Sequence, residues 1–331
     1  MSGYPDPLPP EDEPTPEETP QGELQPTVPD TRPADLLSPV EQQPHEPEPP
    51  SYFERYALQP ITPVRHPNAL DLVLLGAVLL LGAIGSATLT ALALHFHLFG
   101  VKTTQQALTD IHYTLGSEAT WYLISFAGAL LLFPAIWNTG FLRGVQWNAA
   151  AATRHGKWLF VAVVACVLLA IADAVLLPGP AQAPIDEMFR EPGAAWLLFA
   201  FGTTLAPFFE ELGFRGFLLP ALCTACDWTI ERIQHRAAPP PGPDGETRWS
   251  MPAMLVGALL TSVPFALVHG PQTGYSIGPF LLLIGVSLVL CWIRLGMRSL
   301  AASTIVHSCY NLLLFTSMLL GTGGFRHLDK M

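Results

Sequence analysis

Three charged side chains stand inside an apolar stretch of the sequence, LAPFFEELGFRGFLLPAL: Glu210, Glu211 and Arg215. A charge near the centre of a bilayer costs about 2.5–3.5 kcal/mol on insertion scales, so an apolar helix that carries these residues needs a reason. Glu211 and Arg215 are four residues apart, which places them on one face of a helix as an ion pair. Glu210 lies about 100° round that helix and is not matched by this pairing, which suits a general base.

Two further apolar stretches carry residue pairs at the same spacing. SVPFALVHGP contains Phe265 and His269, and ASTIVHSCYNLLLF contains His307 and Asn311. The members of each pair lie on one helix face, and histidine and asparagine do not belong on a surface that faces lipid. Taken singly, these residues also fit a structural role as ion pairs and interhelical hydrogen bonds. Taken together, they can activate a water molecule and stabilise an oxyanion.

The elements that must position these residues are apolar runs of membrane-spanning length. About 20 apolar residues in a helix cross a hydrocarbon core of about 30 Å. The sequence predicts an all-α fold, a polytopic transmembrane helical bundle with seven spans at about 70–94, 118–137, 158–177, 194–222, 252–269, 276–293 and 300–320. The fourth run has 29 residues. It reaches about 43 Å as a straight helix, so it is tilted, broken or two elements, and the last alternative gives eight spans.

The ends of these runs set a condition on the geometry. His269 is at the end of its run, whereas Glu210 and His307 are well inside theirs. Because Gly270 and Pro271 follow His269, we expect the fifth helix to be short and to end inside a cavity. Only then does His269 reach the level of Glu210.

Composition separates an acidic tail from this membrane body. Of the 331 residues 50% are hydrophobic and only 13% are charged. The formal net charge is −11, of which −10 falls within residues 1–66, together with 17 of the 33 prolines. This balance excludes a single soluble domain, a basic nucleic-acid binder and a disulfide-stapled secreted module. It predicts a disordered N-terminal tail, in which a PxxP stretch at 7–10 or 47–50 is a candidate binding site for a partner.

Basic residues predict the orientation of the bundle. The loop 138–157 carries Arg143, Arg154 and Lys157 and no acid. Short cytoplasmic loops are enriched in lysine and arginine. We therefore expect an integral, multi-pass membrane protein whose N-terminal tail and basic loops are cytoplasmic.

The three motifs resemble those of a known family. Glu210-Glu211-x3-Arg215, Phe265-x3-His269 and His307-x3-Asn311 look like the EExxxR, FxxxH and HxxxN motifs of the CPBP intramembrane proteases. That family includes CAAX prenyl proteases of the Rce1 type and bacterial proteins linked to bacteriocin immunity. The resemblance covers roughly 194–320. Composition and hydropathy predict a disordered acidic tail 1–66 and N-terminal transmembrane helices 67–193, and the resemblance adds a protease core 194–322 followed by a short tail 323–331.

The resemblance also implies a role for each motif residue. Glu210 is the general base and His269 helps to orient or deprotonate the attacking water. Arg215 pairs with Glu211 and fixes the helix that carries the base. His307 and Asn311 donate hydrogen bonds to the oxyanion, and Phe265 packs beside His269 and shapes the substrate pocket. The substrate is a membrane-embedded or lipidated peptide, of CAAX type or another.

Other chemistries remain as alternatives. There is no HExxH motif, but Glu210, His269 and His307 can in principle ligate zinc, so the prediction is a metal-free reaction with zinc as the alternative. Asp173 is the only other acid that the predicted spans place deep in a helix, and an aspartyl mechanism needs two. The rival functions are a non-catalytic immunity or interaction protein and a transporter that relays protons through Glu210 and the histidines.

Overall fold

The computed structural model describes residues 67–177, 184, 189, 193–235 and 248–325. The predicted tail 1–66 lies outside these residues, so its disorder and its partner stay predictions. Within the described residues there is no strand, and seven helices are long and apolar enough to cross a membrane. They are α1 Ala69–His95, α2 Ile111–Trp137, α3 Gly156–Leu176, α4 Ala194–Gln234, α5 Met251–Val268, α6 Ile277–Met297 and α7 Leu300–Gly321.

The outer faces of these helices are apolar. Val73 is 68% exposed, Leu131 80% and Val175 73%. Large contiguous apolar surfaces of this kind are not stable in water and mark a surface that contacts membrane. The helices therefore bury their polar side chains towards each other and turn leucine and valine outward. This arrangement confirms the predicted class, an all-α polytopic bundle.

The second span begins earlier than its hydropathy predicts. The apolar run suggested a start at residue 118, but α2 begins at Ile111. Asp110 caps this helix, because its side chain accepts hydrogen bonds from the backbone amides of His112 and Tyr113. An N-cap of this type fixes a helix start independently of hydropathy. As a consequence, Glu118 lies two turns inside α2 rather than at its edge.

The fourth span is one continuous helical segment of 41 residues, not two elements. The described residues therefore give seven spans and no eighth. The expected end at 222 is wrong, since α-helix continues from Leu219 to Gln234. Its last turns are polar and amphipathic, so an apolar run does not detect them. Two sections of α4 are π-helical, Phe201–Leu205 and Leu212–Leu218.

Aromatic packing and one buried arginine hold α4 in place. Phe217 of α4 is fully buried against an aromatic cluster from α2 and the short helix Phe141–Gly144. Arg294 of α6 is 1% exposed. Its Nε donates to the carbonyl oxygen of Arg215 at 3.1 Å, and its Nη1 donates to Gln146 Oε1 at 2.8 Å. The backbone of α4 is thereby tied to α6 at one of the motif residues.

Helices α4 and α5 approach closely where α5 carries a glycine. A Cβ atom added to Gly257 would lie 2.6 Å from Cys223 Sγ and 3.4 Å from the Cys223 backbone nitrogen. Both residues belong to the interior of the bundle, and Cys223 is fully buried. Glycine is thus required by the close approach of the two helices, which holds the FxxxH helix against the EExxxR helix.

Candidate active site

The two glutamates occupy a short α-helical section between the two π-helical sections of α4. That section is Ala206–Glu211, with Pro207 in its first turn. π-Helical turns are rare and occur frequently at functional sites, because they change the direction in which the following side chains project. The sequence gives no signal for them, since a π turn has no residue pattern comparable to a helix cap.

Glu211 and Arg215 form the expected ion pair. Arg215 Nη1 donates to Glu211 Oε1 at 2.9 Å, and both side chains are completely buried. Arg215 Nη2 donates to the side-chain oxygen of Ser287 at 2.7 Å and to its carbonyl oxygen at 3.2 Å. Charges of this kind are stable in a bundle interior only when they are paired and hydrogen-bonded. Ser287, on α6, is a partner that the sequence analysis missed, because a serine in an apolar helix has many uses.

Phe265 lies beneath this pair. The Arg215 guanidinium carbon is 4.3 Å from the centre of the Phe265 ring, a cation–π distance. The ring centres of Phe265 and His269 are 4.9 Å apart. Phe265 is 1% exposed and packs beside His269 as expected, but it is not among the residues that line the cavity next to Glu210. Phe265 therefore contacts and positions Arg215 and His269.

His307 connects the two glutamates. Its Nδ1 is 3.0 Å from Glu211 Oε1, and its Nε2 is 3.7 Å from Glu210 Oε2. A carboxylate only accepts hydrogen bonds, so Nδ1 is the nitrogen that carries the proton in this contact. Glu211 Oε1 therefore accepts from both Arg215 and His307, and Nε2 is directed towards Glu210.

His269 meets Glu210 from the other side. The α5 helix ends at Val268, and His269 follows as its C-cap before the short helix Gly270–Thr273. His269 Nδ1 is 2.8 Å from the carbonyl oxygen of Phe265, which makes Nδ1 the donor, and Nε2 is 3.7 Å from Glu210 Oε2. At 18 residues α5 is the shortest of the seven spanning helices in the described chain. Its early end brings His269 to Glu210.

One carboxylate oxygen of Glu210 has no hydrogen-bond partner among the described residues. Glu210 Oε2 is buried and accepts no hydrogen bond within the described residues. The two imidazole nitrogens that face it are both 3.7 Å away, beyond the range of a direct hydrogen bond. A buried acceptor without a partner costs about 1–3 kcal/mol, so such an atom calls for an explanation in function or in a bound water.

Asn311 lies apart from these groups. Its Nδ2 donates to the carbonyl oxygen of Gly202 at 2.8 Å, inside the first π-helical section of α4. Within the described residues it makes no hydrogen bond with Glu210 or His307. Of the predicted catalytic residues, the structure thus brings together the two glutamates, Arg215 and the two histidines. Asn311 is instead hydrogen-bonded to the backbone of α4.

A cavity of about 500 Å³ opens beside Glu210 and His269. This volume is within the range of ligand pockets. Its walls come mainly from α1, α2 and α4 and are largely apolar. They include Glu118 of α2, a carboxylate that the sequence analysis missed when it named Asp173 as the only other acid deep in a span. The Asp110 cap, which moves the start of α2 forward, was the signal that could have found it.

The donor atoms around Glu210 do not form a closed metal site. Among the described residues no group of three or more histidine, cysteine or acidic side chains is arranged to hold a metal ion. Glu210, His269 and His307 have the donor types of catalytic zinc, and each histidine uses Nδ1 on an acceptor, as zinc-bound histidines do. Two atoms that bind one zinc ion at about 2.0–2.1 Å in a tetrahedron lie about 3.4 Å from each other. Glu210 Oε2 lies 3.7 Å from each Nε2, so these side chains would have to move closer together to bind zinc.

Comparison with known proteins gives one match. Residues 192–313 match the model of the family described as type II CAAX prenyl endopeptidase Rce1-like. No curated protein and no solved structure matches the chain. The matched segment contains all three motifs, which confirms the resemblance that they predict. The chain is a multi-pass integral membrane protein with an Rce1-like segment, and the matched family is one of peptidases.

Proposed function

We propose that the chain is an intramembrane endopeptidase in which Glu210 activates a water molecule for hydrolysis of a peptide bond in or beside the bilayer. The observation that carries this proposal is the Oε2 atom of Glu210, a buried acceptor that is not held and that faces the Nε2 atoms of His269 and His307 at 3.7 Å. The same side chain lines the apolar cavity, where a peptide segment can approach it.

The proposed reaction begins with a water molecule between Glu210 and His269. Glu210 Oε2 takes a proton from the water as the oxygen attacks the peptide carbonyl carbon. The tetrahedral intermediate then collapses, the C–N bond breaks, and the proton passes to the departing amine nitrogen. Excluding bulk water from an apolar cavity strengthens each electrostatic interaction in these steps.

The oxyanion is assigned to His307 and Asn311. Because His307 Nδ1 already donates to Glu211, the ring must carry both protons for Nε2 to donate to an oxyanion. Asn311 uses one N–H on the carbonyl of Gly202, which leaves its second N–H for the substrate. Glu211 and Arg215 keep the helix and the His307 ring in position rather than touching the substrate.

The family match supports the proposed substrate class. A peptidase family named for CAAX prenyl endopeptidases favours a lipidated, membrane-associated peptide, and the apolar walls of the cavity suit an apolar substrate segment. We propose a CAAX-type peptide or another membrane-associated peptide, cleaved without a cofactor.

The test is peptide cleavage by purified protein in lipid nanodiscs. The substrates are matched membrane peptides with and without a prenyl group, and the proteins are wild type, Glu210→Gln and Glu231→Gln. Glu231 is on the same helical segment, outside the site, and serves as the control. A general base contributes about 10²–10⁴-fold, so Glu210→Gln should lose at least about 100-fold in kcat/KM while Glu231→Gln keeps it.

Treatment with a chelator distinguishes the metal-free reaction from a zinc-dependent one. Cleavage that continues after treatment with a chelator, and that needs Glu210, supports the metal-free reaction. If cleavage is lost on chelation and recovers when zinc is added, Glu210, His269 and His307 are zinc ligands rather than a general base and hydrogen-bond donors. Cleavage retained in Glu210→Gln overturns the assignment of the base. No cleavage of any peptide by wild type favours the immunity or interaction protein, and a dependence of function on a proton gradient favours the transporter.

A further inference from the structure

A second carboxylate lies in the cavity of the proposed active site. Glu118 of α2 lines this cavity together with Glu210 and His269. It also lines a larger cavity of about 710 Å³ between α1, α2 and the short helix Thr104–Ala107. The two cavities share Glu118 and Trp121, so Glu118 stands where they adjoin. A substrate segment that extends from Glu210 into the second cavity passes this carboxylate.

The position of Glu118 is fixed by its neighbour one turn along α2. Tyr122 donates its hydroxyl hydrogen to Glu118 Oε1 at 2.8 Å. The Tyr122 ring stacks on Phe209, with ring centres 4.8 Å apart, and Phe209 immediately precedes Glu210. Trp121 Nε1 donates to the carbonyl oxygen of Leu79, which anchors this part of α2 to α1. The hydrogen bond from Tyr122 therefore fixes Glu118 Oε1, whereas Oε2 accepts no hydrogen bond from the described residues.

The walls around the two carboxylates are aromatic and contain no strong base. Five rings line the cavity beside Glu210, those of Trp121, Tyr122, Phe126, Phe209 and Phe214. Among the described residues that line either cavity there is no lysine and no arginine. Aromatic faces and carboxylates both attract cations, and their attraction increases when water is excluded. Next to Glu118, a cationic side chain is therefore favoured over an anionic one.

We propose that this cavity selects substrates with a cationic side chain, lysine or arginine, close to the scissile bond, and that Glu118 is the residue that recognises it. Glu118 Oε2 binds the ammonium or guanidinium group, and the neighbouring rings cover its apolar stem. Tyr122 is a positioning residue that orients the carboxylate. This inference rests on the proposed peptidase function, which it extends to a substrate preference.

The test uses a set of membrane peptides that differ at one position. Lysine, norleucine or glutamate is placed in turn at each of the three positions on either side of the scissile bond. Wild type should cleave the lysine peptide at one of these positions with kcat/KM about tenfold above that of the norleucine peptide. Glu118→Gln should remove this preference, so that the kcat/KM of the lysine peptide becomes about equal to that of the norleucine peptide. Glu118→Lys should prefer the glutamate peptide.

Two controls separate this inference from the proposed function. Glu231→Gln should keep the lysine preference, and a thermal unfolding measurement on each variant shows that it is folded. Equal cleavage of lysine and norleucine peptides by wild type at all positions, or a preference that survives Glu118→Gln, overturns the inference and leaves the peptidase function standing. No cleavage of any peptide by wild type overturns both.

Discussion

The oxygen Oε1 of Glu211 accepts from Arg215 and His307 at the same time, and all three side chains are buried. Breaking a buried ion pair on one side costs about 3–5 kcal/mol, because it leaves a charge without a partner. We expect Glu211→Gln to lower the free energy of unfolding by about this amount. Chemical or thermal unfolding of the purified protein in detergent measures it.

A double variant is the control for this prediction. Glu211→Gln combined with Arg215→Met removes both charges and should recover part of the stability, because no unpaired charge is left. Glu231→Gln, which alters a carboxylate outside the bundle interior, should stay within about 0.5 kcal/mol of wild type. A loss for Glu211→Gln no larger than that of Glu231→Gln would show that the pair does not stabilise the fold.

At the level of residues, spacing predicted what a regular helix brings together. Glu211 and Arg215 meet because residues four apart lie on one face, and the pair survives although Arg215 belongs to a π-helical section. Spacing did not predict Ser287 or the bond from Asn311 to Gly202, since these contacts depend on which helices pack together. Asn311 as an oxyanion donor stays a prediction.

At the level of elements, α4 and α5 approach closely at Gly257, and these two helices carry Glu210 and His269. Gly257→Val adds side-chain atoms where Cys223 already lies, so the two helices must separate or distort. Overpacking of this kind costs about 1–3 kcal/mol. We expect a lower thermal unfolding temperature together with a reduced kcat, measured on the same preparation.

Gly76 is the matched control for this change. It lies in α1, and a Cβ atom there meets nothing within 4 Å. Gly76→Val should therefore keep both the unfolding temperature and the activity close to wild type. If Gly257→Val behaved like Gly76→Val, the interface between α4 and α5 would be less tightly packed than the structure indicates.

The ends of a spanning helix could be predicted where the helix coincides with a run of apolar residues. The predicted spans at 70–94, 158–177 and 300–320 agree with α1, α3 and α7 within two residues at each end. The errors fall where polar residues continue a helix. Asp110 starts α2 ahead of its apolar run, and the polar turns after Cys223 extend α4 to Gln234. Hydropathy reports contact with lipid, whereas caps and side-chain faces decide where a helix ends.

At the level of the whole molecule, seven spans place the two ends of the described bundle on opposite sides of the membrane. We expect Thr153→Cys, in the basic loop before α3, to be labelled from the cytoplasmic side by a membrane-impermeant maleimide. Gln105→Cys, between α1 and α2, should be labelled only from the other side. Both positions are exposed.

The measurement needs a background in which the five native cysteines are replaced. Each variant should be labelled completely after solubilisation in detergent, which shows that the cysteine is reactive. Labelling of both positions from one side would contradict the number of spans between them, and labelling in the reversed sense would invert the predicted orientation while keeping the bundle.

His307 belongs to α7, the last of the seven spans, whereas Glu210 belongs to α4. Spans enter the membrane in the order in which the ribosome makes them, so Glu210 is in place three helices before the imidazole that completes its surroundings. A chain in which α7 has not yet been made therefore contains Glu210, the proposed base, but neither His307 nor Asn311. Under the proposed mechanism, hydrolysis therefore begins only after α7 has been inserted, because the proposed donors to the oxyanion are the last part of the site to be made.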